Sequence, residues 1–252
     1  MGRFRIIPVL LLKKGGLYKS IKFRDHKYVG DPINAVKIFN EKEVDEIIIL
    51  DIEASAEKRP PDIRRVKELT GEAFMPLAYG GGITSTDQVK NILYEGVEKV
   101  VFNTCTIINP KVVEDTAKHF GSSSVIVSID VKKNWIGKTG VYTNNGKTPT
   151  GFDVIEFARQ AERLGAGEIF LNSIDKDGTY SGYDIELIEK VSNALSIPLI
   201  VCGGASSVED FKLAINSGAS AVAAGSMFVF QRPHNAVLIS YPKQEDLLDI
   251  FN

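Results

Sequence analysis

The chain is poor in the residues that carry metal, redox and cross-linking chemistry. Of its 252 residues, two are cysteine, three histidine and one tryptophan. Cys105 and Cys202 have no CxxC spacing, so no disulfide framework is expected, and a reducing cytosol is. His26, His119 and His234 are scattered without ligand spacing, so neither a structural metal nor another cofactor is expected. No apolar run approaches the ~20 residues that span a bilayer, and no signal-peptide pattern opens the chain, which argues for a cytoplasmic location and against a membrane partner. The formal charge of −2 creates no broad field to attract nucleic acid. One further shortage is local: no acid occurs between Ile6 and Lys22.

The remaining composition is that of a globular protein, 44% hydrophobic and 25% charged. The length suits one large α/β domain or two small ones. No proline-rich or low-complexity linker divides the chain, so residues 1–252 are read as a single domain. Eight short apolar runs are candidate strands: Arg5–Leu12, Glu46–Asp51, Pro76–Gly80, Lys99–Asn103, Val125–Asp130, Glu168–Leu171, Pro198–Val201 and Ala221–Gly225. Amphipathic stretches such as FDVIEFARQAERLGAG separate them. Alternation of strand and helix implies parallel strands, and eight units in this length fit a (β/α)8 TIM barrel ahead of an open doubly wound sheet. Asn145-Gly146 in VYTNNGKT predicts a small hairpin inside the loop after strand five.

An internal repeat supports the barrel. PLAYGGGITSTDQVKNILYEGVEKVVFNT from Pro76 aligns without a gap on PLIVCGGASSVEDFKLAINSGASAVAAGS from Pro198, an offset of 198 − 76 = 122 residues. The same offset puts Glu46 on Glu168. The chain reads as two half-barrels of four βα units.

Each half carries a glycine-rich strand end, YGGGITS and CGGASS, and a later strand ending in a small polar pair, Asn103-Thr104 or Gly225-Ser226. Glycine lets backbone N–H groups approach an anion, and a following helix start adds unpaired donors. Tight turns alone would also use these glycines. Two such sets at equivalent strand ends favour a substrate phosphorylated at both ends, and Asp177 and Gly178 in DKDGT could add to one set. Arg5, Glu46, Lys99 and Glu168 stand at strand starts, where unpaired charge is costly, so these four are expected to pair at the barrel floor. Asp130 stands at the C-terminal end of strand five, where barrel enzymes place catalytic groups, although it could simply cap a loop.

These motifs resemble HisF, the cyclase subunit of imidazole glycerol phosphate synthase. The shared stretches are RIIP, VGDP, LDIEAS, GGGI, PTGFD, DKDGT and CGGA, spread over nearly the whole chain. The resemblance implies a barrel docked on a HisH-like glutaminase whose ammonia enters through a gate of Arg5, Glu46, Lys99 and Glu168. It implies phosphate contacts at Gly82, Asn103, Thr104, Asp177, Gly178, Gly203, Gly204, Gly225 and Ser226, with Lys19 on a mobile loop after strand one. The implied substrate is a bisphosphorylated ribulosyl-carboxamide, cyclised during histidine biosynthesis by two carboxylates, one each on strands one and five.

The strand-five acid is Asp130. Its strand-one counterpart is Leu11, at an offset of 130 − 11 = 119 residues, and no neighbouring acid can replace it. A leucine cannot transfer a proton. Two roles remain open: a cyclase relying on Asp130, or a non-cyclase ammonia conduit. The conduit would serve a third enzyme, an amidotransferase making an amidino sugar for surface polysaccharide. The sister isomerase barrel of histidine synthesis also uses the strand-one acid, so Leu11 does not favour it.

Overall fold

The computed structural model describes residues 4–243 and 247. Eight strands form its centre: β1 (Arg5–Lys13), β2 (Ile47–Asp51), β3 (Leu77–Gly80), β4 (Lys99–Phe102), β5 (Val125–Lys133), β6 (Glu168–Ser173), β7 (Leu199–Cys202) and β8 (Ala221–Ala224). Each pairs in parallel with the next. β8 then pairs in parallel with β1, from Arg5 opposite Ala221 to Pro8 opposite Ala224, and closes the ring. With helices between the strands, this is the expected (β/α)8 barrel.

The helices form because their apolar residues recur at helical spacing. The helix Val154–Arg163 buries Val154, Phe157, Ala158 and Ala161 and leaves the intervening charges outside. Its start is fixed by Asp153, whose carboxylate accepts from the N–H groups of Ile155 and Glu156. Apolar side chains fill the shell between strands and helices. A second set fills the barrel itself, including Ile7, Val9, Ile48, Ala78, Val101, Ile126, Phe170 and Ile200.

Register shows the two halves directly. Ile47 pairs Leu77 and Ile169 pairs Leu199; Gly80 pairs Val101 and Cys202 pairs Ala223. Both pairs of partners differ by 122. Helix caps repeat on the same spacing: Asp31 and Asp153, Asp62 and Asp184, Ser85 and Ser207.

Two strands outrun their expected ends by more than one residue. β5 continues to Lys133 because Val131–Lys133 pair with a hairpin strand, Thr139–Thr143. β6 continues to Ser173 because Asn172 and Ser173 pair with Asp130 and Val131. The hairpin predicted after strand five is present, with Asn144, Asn145 and Gly146 all at positive φ between Thr139–Thr143 and Thr148–Pro149. The segment after strand one departs from expectation. It is a second hairpin, Gly16–Ile21 against Arg24–Gly30, continuing antiparallel from β1. Lys19 therefore lies on a strand and is 5% exposed, rather than on an open loop. No helix among the described residues is long and apolar enough to cross a membrane.

Candidate functional site

Ladder geometry fixes which residues face each other across the mouth of the barrel. Leu11 sits opposite Leu50 of β2 and Tyr18 of its hairpin. Asp130 sits opposite Asn172 of β6 and Tyr142 of its hairpin. Since Leu50 and Asn172 are themselves 122 apart, Leu11 is the positional counterpart of Asp130. Both point into one cavity with Leu50, Asn103, Asn172 and Lys19. At these strand positions one wall of the mouth is apolar and the wall facing it polar.

Asp130 is 8% exposed. Asn103 Nδ2 donates to its Oδ2 at 3.2 Å and to the Ser128 carbonyl at 3.1 Å. Burial raises the Asp130 pKa, the negative charge of Asp177 raises it further, and hydrogen bonds from Asn103 and Asn172 pull it back, leaving it at about 7. A carboxyl at that value can both accept and return a proton near neutral pH. Burial lowers the Lys19 ammonium to about 8, against the opposing pull of Asp177. Its Nζ donates to the Val9 carbonyl inside the barrel.

Asp177 ties the first hairpin over this cavity. Its Oδ2 accepts from Ser20 Oγ at 2.9 Å and from the Phe23 N–H at 3.4 Å, while its own carbonyl accepts from the Lys22 N–H at 2.9 Å. Burial raises its pKa, and Ser20, Lys19 and Phe23 pull it down. Asp177 thus faces the hairpin and Asp130, and a carboxylate there repels rather than binds an anion.

The two glycine-rich sets are placed differently. Gly82, Asn103 and Thr104 line the same cavity as Asp130. Gly82 has φ +71°, a Cβ on it would strike the Arg59 carbonyl, and its N–H is held by Ser55 Oγ at 3.3 Å. In the other set only Gly225 and Asp177 reach that cavity; Gly178, Gly203, Gly204 and Ser226 do not. The loop after β6, which carries Gly178, covers Gly204 and Ser226. The Gly204 carbonyl accepts from the Gly182 N–H at 2.9 Å, Tyr180 Oη donates to the Ser226 carbonyl at 3.2 Å, and Arg232 stacks 5.0 Å over the Tyr180 ring. The Ser20 carbonyl lies where a Cβ on Gly178 would stand.

At the opposite end the four expected charges close a ring. Arg5 reaches Glu46 at 2.5 Å and Glu168 at 3.1 Å; Lys99 reaches Glu46 at 3.0 Å and Glu168 at 3.1 Å. Glu46 side-chain exposure is 2% and that of Glu168 13%, so the floor is shut and its charges balance. Burial would lower the Arg5 pKa, but Glu46 and Glu168 outweigh it and raise the value.

Sequence reasoning did not single out Asn172 and Ser20, and named Cys202 only for its spacing and within CGGASS; all three line the cavity. The offset of 122 could have found two of them, since it places Asn172 on Leu50 and Cys202 on Gly80. Ser20 carries no such signal, because its partner lies 157 residues away.

Residues 5–233 match the model of a family described as histidine biosynthesis protein. The chain is 47% identical over 249 residues to a protein of Leptospira interrogans, covering 98% of each. It is 49% identical over 243 residues to one of Pseudomonas aeruginosa, covering 96% of this chain and 97% of that one. The second is named "Putative imidazole glycerol phosphate synthase subunit hisF2". A protein of Alkaliphilus metalliredigens named imidazole glycerol phosphate synthase subunit HisF is 42% identical over 225 residues, 89% of each chain. The chain belongs to the histidine biosynthesis protein family and, within it, to the HisF group.

Proposed function

We propose that this HisF-type barrel takes ammonia from a HisH-like glutaminase and delivers it at the mouth without closing an imidazole ring. The observation that carries the reading is Leu11, in register with Asp130 and backed by Leu50. Ring closure needs protons moved on both sides of the substrate. The strand-one wall has no carboxylate at the matching position; its nearest titratable group is the Lys19 ammonium on the Val9 carbonyl. Losing one member of an acid/base pair costs about 10²–10⁴ in rate.

The rest of the barrel suits a carrier of small neutral molecules. The glutaminase would dock at the floor, where Arg5, Glu46, Lys99 and Glu168 pair in a ring that side-chain movement can open. Above it the interior is apolar, with Ala78, Ala221 and Ala223 among the smallest groups. Such a lining admits ammonia and disfavours its charged form. Ammonia would leave past Leu11 and Leu50 to an acceptor enzyme, an amidotransferase making an amidino sugar.

A second reading, a working cyclase, has one observation in its favour: Asp130 titrates at about 7, as a proton-transfer group should. Gly82, Asn103 and Thr104 beside Asp130 would then hold a substrate phosphate, with Gly204, Gly225 and Ser226 holding the other once the covering loop moves. The purified chain with saturating ammonium and the bisphosphorylated ribulosyl-carboxamide separates the two. The conduit reading expects no imidazole glycerol phosphate above background. Turnover at the rate of an ordinary cyclase subunit overturns it.

A further inference from the structure

The interior position four steps along each half differs in one respect. In the first half it is Asn103, whose amide donates to the Ser128 carbonyl of β5. In the second half the same position, 122 residues on, is Gly225, which has no side chain. The carbonyl equivalent to Ser128, 119 residues earlier, is that of Val9 on β1. It is not left bare: Lys19 Nζ donates to it. A Cβ built at Gly225 would stand 2.5 Å from that nitrogen. The ammonium of Lys19 therefore occupies the place that the Asn103 amide fills in the other half, in a socket that exists because residue 225 is glycine.

The socket is furnished for a cation with several N–H donors. Val9 contributes a carbonyl. Burial disfavours charge at Lys19 Nζ, and the charge of Asp177 offsets part of that cost. Asn172 lines the same cavity, and its Oδ1 is buried with no hydrogen-bond partner among the described residues. A buried amide oxygen without a donor is costly and calls for a ligand. Lys19 lies one residue beyond Tyr18, the last hairpin residue laddered to β1, and past that point Asp177 holds the hairpin over the mouth, so the Lys19 ammonium is a tethered occupant that can be withdrawn.

We propose that the Gly225 socket is an ammonium-binding subsite, filled by Lys19 while the hairpin is down and by free ammonium when the hairpin lifts. Nitrogen reaching the mouth and closure of the hairpin then compete for one place. The physiological meaning of the subsite rests on the ammonia-delivery reading above, whereas its existence is testable on the isolated chain.

The test is thermal unfolding of wild type, Lys19→Ala and Lys19→Ala/Gly225→Ala in ammonium, potassium or sodium chloride at equal ionic strength. Amide hydrogen exchange across residues 16–30 of the wild type is followed in the same salts. Lys19→Ala is expected to gain about 2–4 °C in ammonium over the other two salts. Gly225→Ala, whose methyl fills the socket, is expected to abolish the gain. In the wild type, ammonium is expected to speed exchange across the hairpin at least about twofold. An equal response of Lys19→Ala to all three salts overturns the subsite, as does an ammonium gain that survives Gly225→Ala. If the double variant does not fold, Lys19→Ala/Asn172→Leu replaces it, with loss of the gain expected and its retention contradictory. Ammonium selectivity in this assay, with no transfer from a glutaminase complex, would overturn the delivery reading and leave the subsite standing.

Discussion

At one height in the barrel, β1 presents Val9 and Leu11 where β5 presents Ser128 and Asp130, and β2 presents Leu50 where β6 presents Asn172. The barrel strands around these positions agree in register, and the helices that follow agree in their caps. The chemistry does not. On the β5–β6 side an acid, an amide and a hydroxyl converge; on the β1–β2 side there is hydrocarbon. The floor shows the reverse pattern: both halves contribute an acid there, Glu46 and Glu168, while both cations, Arg5 and Lys99, come from the first half. Duplicated geometry thus fixes where side chains point and leaves their identity free, and function is read from the places where the halves disagree.

Substitutions at equivalent positions turn this comparison into measurements. The largest stability effect belongs to the floor. Glu46→Leu leaves Arg5 and Lys99 short of a partner in a nearly closed site and is expected to cost about 3–5 kcal/mol in urea unfolding. Glu168→Leu, at a more open position, is expected to cost less. Equal losses would mean that the two acids share the ring evenly despite their different burial.

Next comes the pH dependence of the mouth. The folded protein holds Asp130 protonated up to about 7, whereas the unfolded chain ionises it near the ordinary carboxylate value. Its contribution is therefore favourable in acid and is lost as pH rises from about 4 to about 7. Asp130→Asn is expected to stabilise the protein at pH 8 by on the order of 3 kcal/mol and to change little at pH 4. Leu11→Asn, at the matching position, is expected to show no such pH trend. A pH-independent effect at both positions would refute the assigned titration.

The smallest effect separates the two hairpins. Ser20→Ala removes one hydrogen bond to Asp177 and is expected to cost about 1 kcal/mol. Exchange should quicken across residues 16–30 and stay unchanged across residues 139–149. A uniform change across both hairpins would show that the Ser20–Asp177 contact does not hold the first hairpin locally.

Much of this architecture is legible in the sequence. Strand and helix alternate with clear apolar periods, and the gapless repeat points to the half-barrels. The hairpin after strand five announces itself through Asn144, Asn145 and Gly146, residues that accept positive φ. The hairpin after strand one does not, because its turn at Lys22 and Phe23 takes positive φ with residues that rarely do so. Its outer strand, Arg24–Gly30, is also largely polar. Lys19 therefore read as a loop residue, and its burial beside Val9 and Gly225 follows only from the fold. The latch on Asp177 and the covering of Ser226 by Tyr180 join distant segments, and no local pattern encodes either.

The most direct test of the central claim is Leu11→Asp, which gives the strand-one wall the acid that its counterpart already has. Ring-closing turnover with saturating ammonium is compared between this variant and the wild type, with folding checked by unfolding midpoint. The account predicts background activity in the wild type and a gain of about 10²–10⁴-fold in Leu11→Asp. A wild type that already turns over at the rate of an ordinary cyclase, or a folded Leu11→Asp protein with no gain, would contradict it.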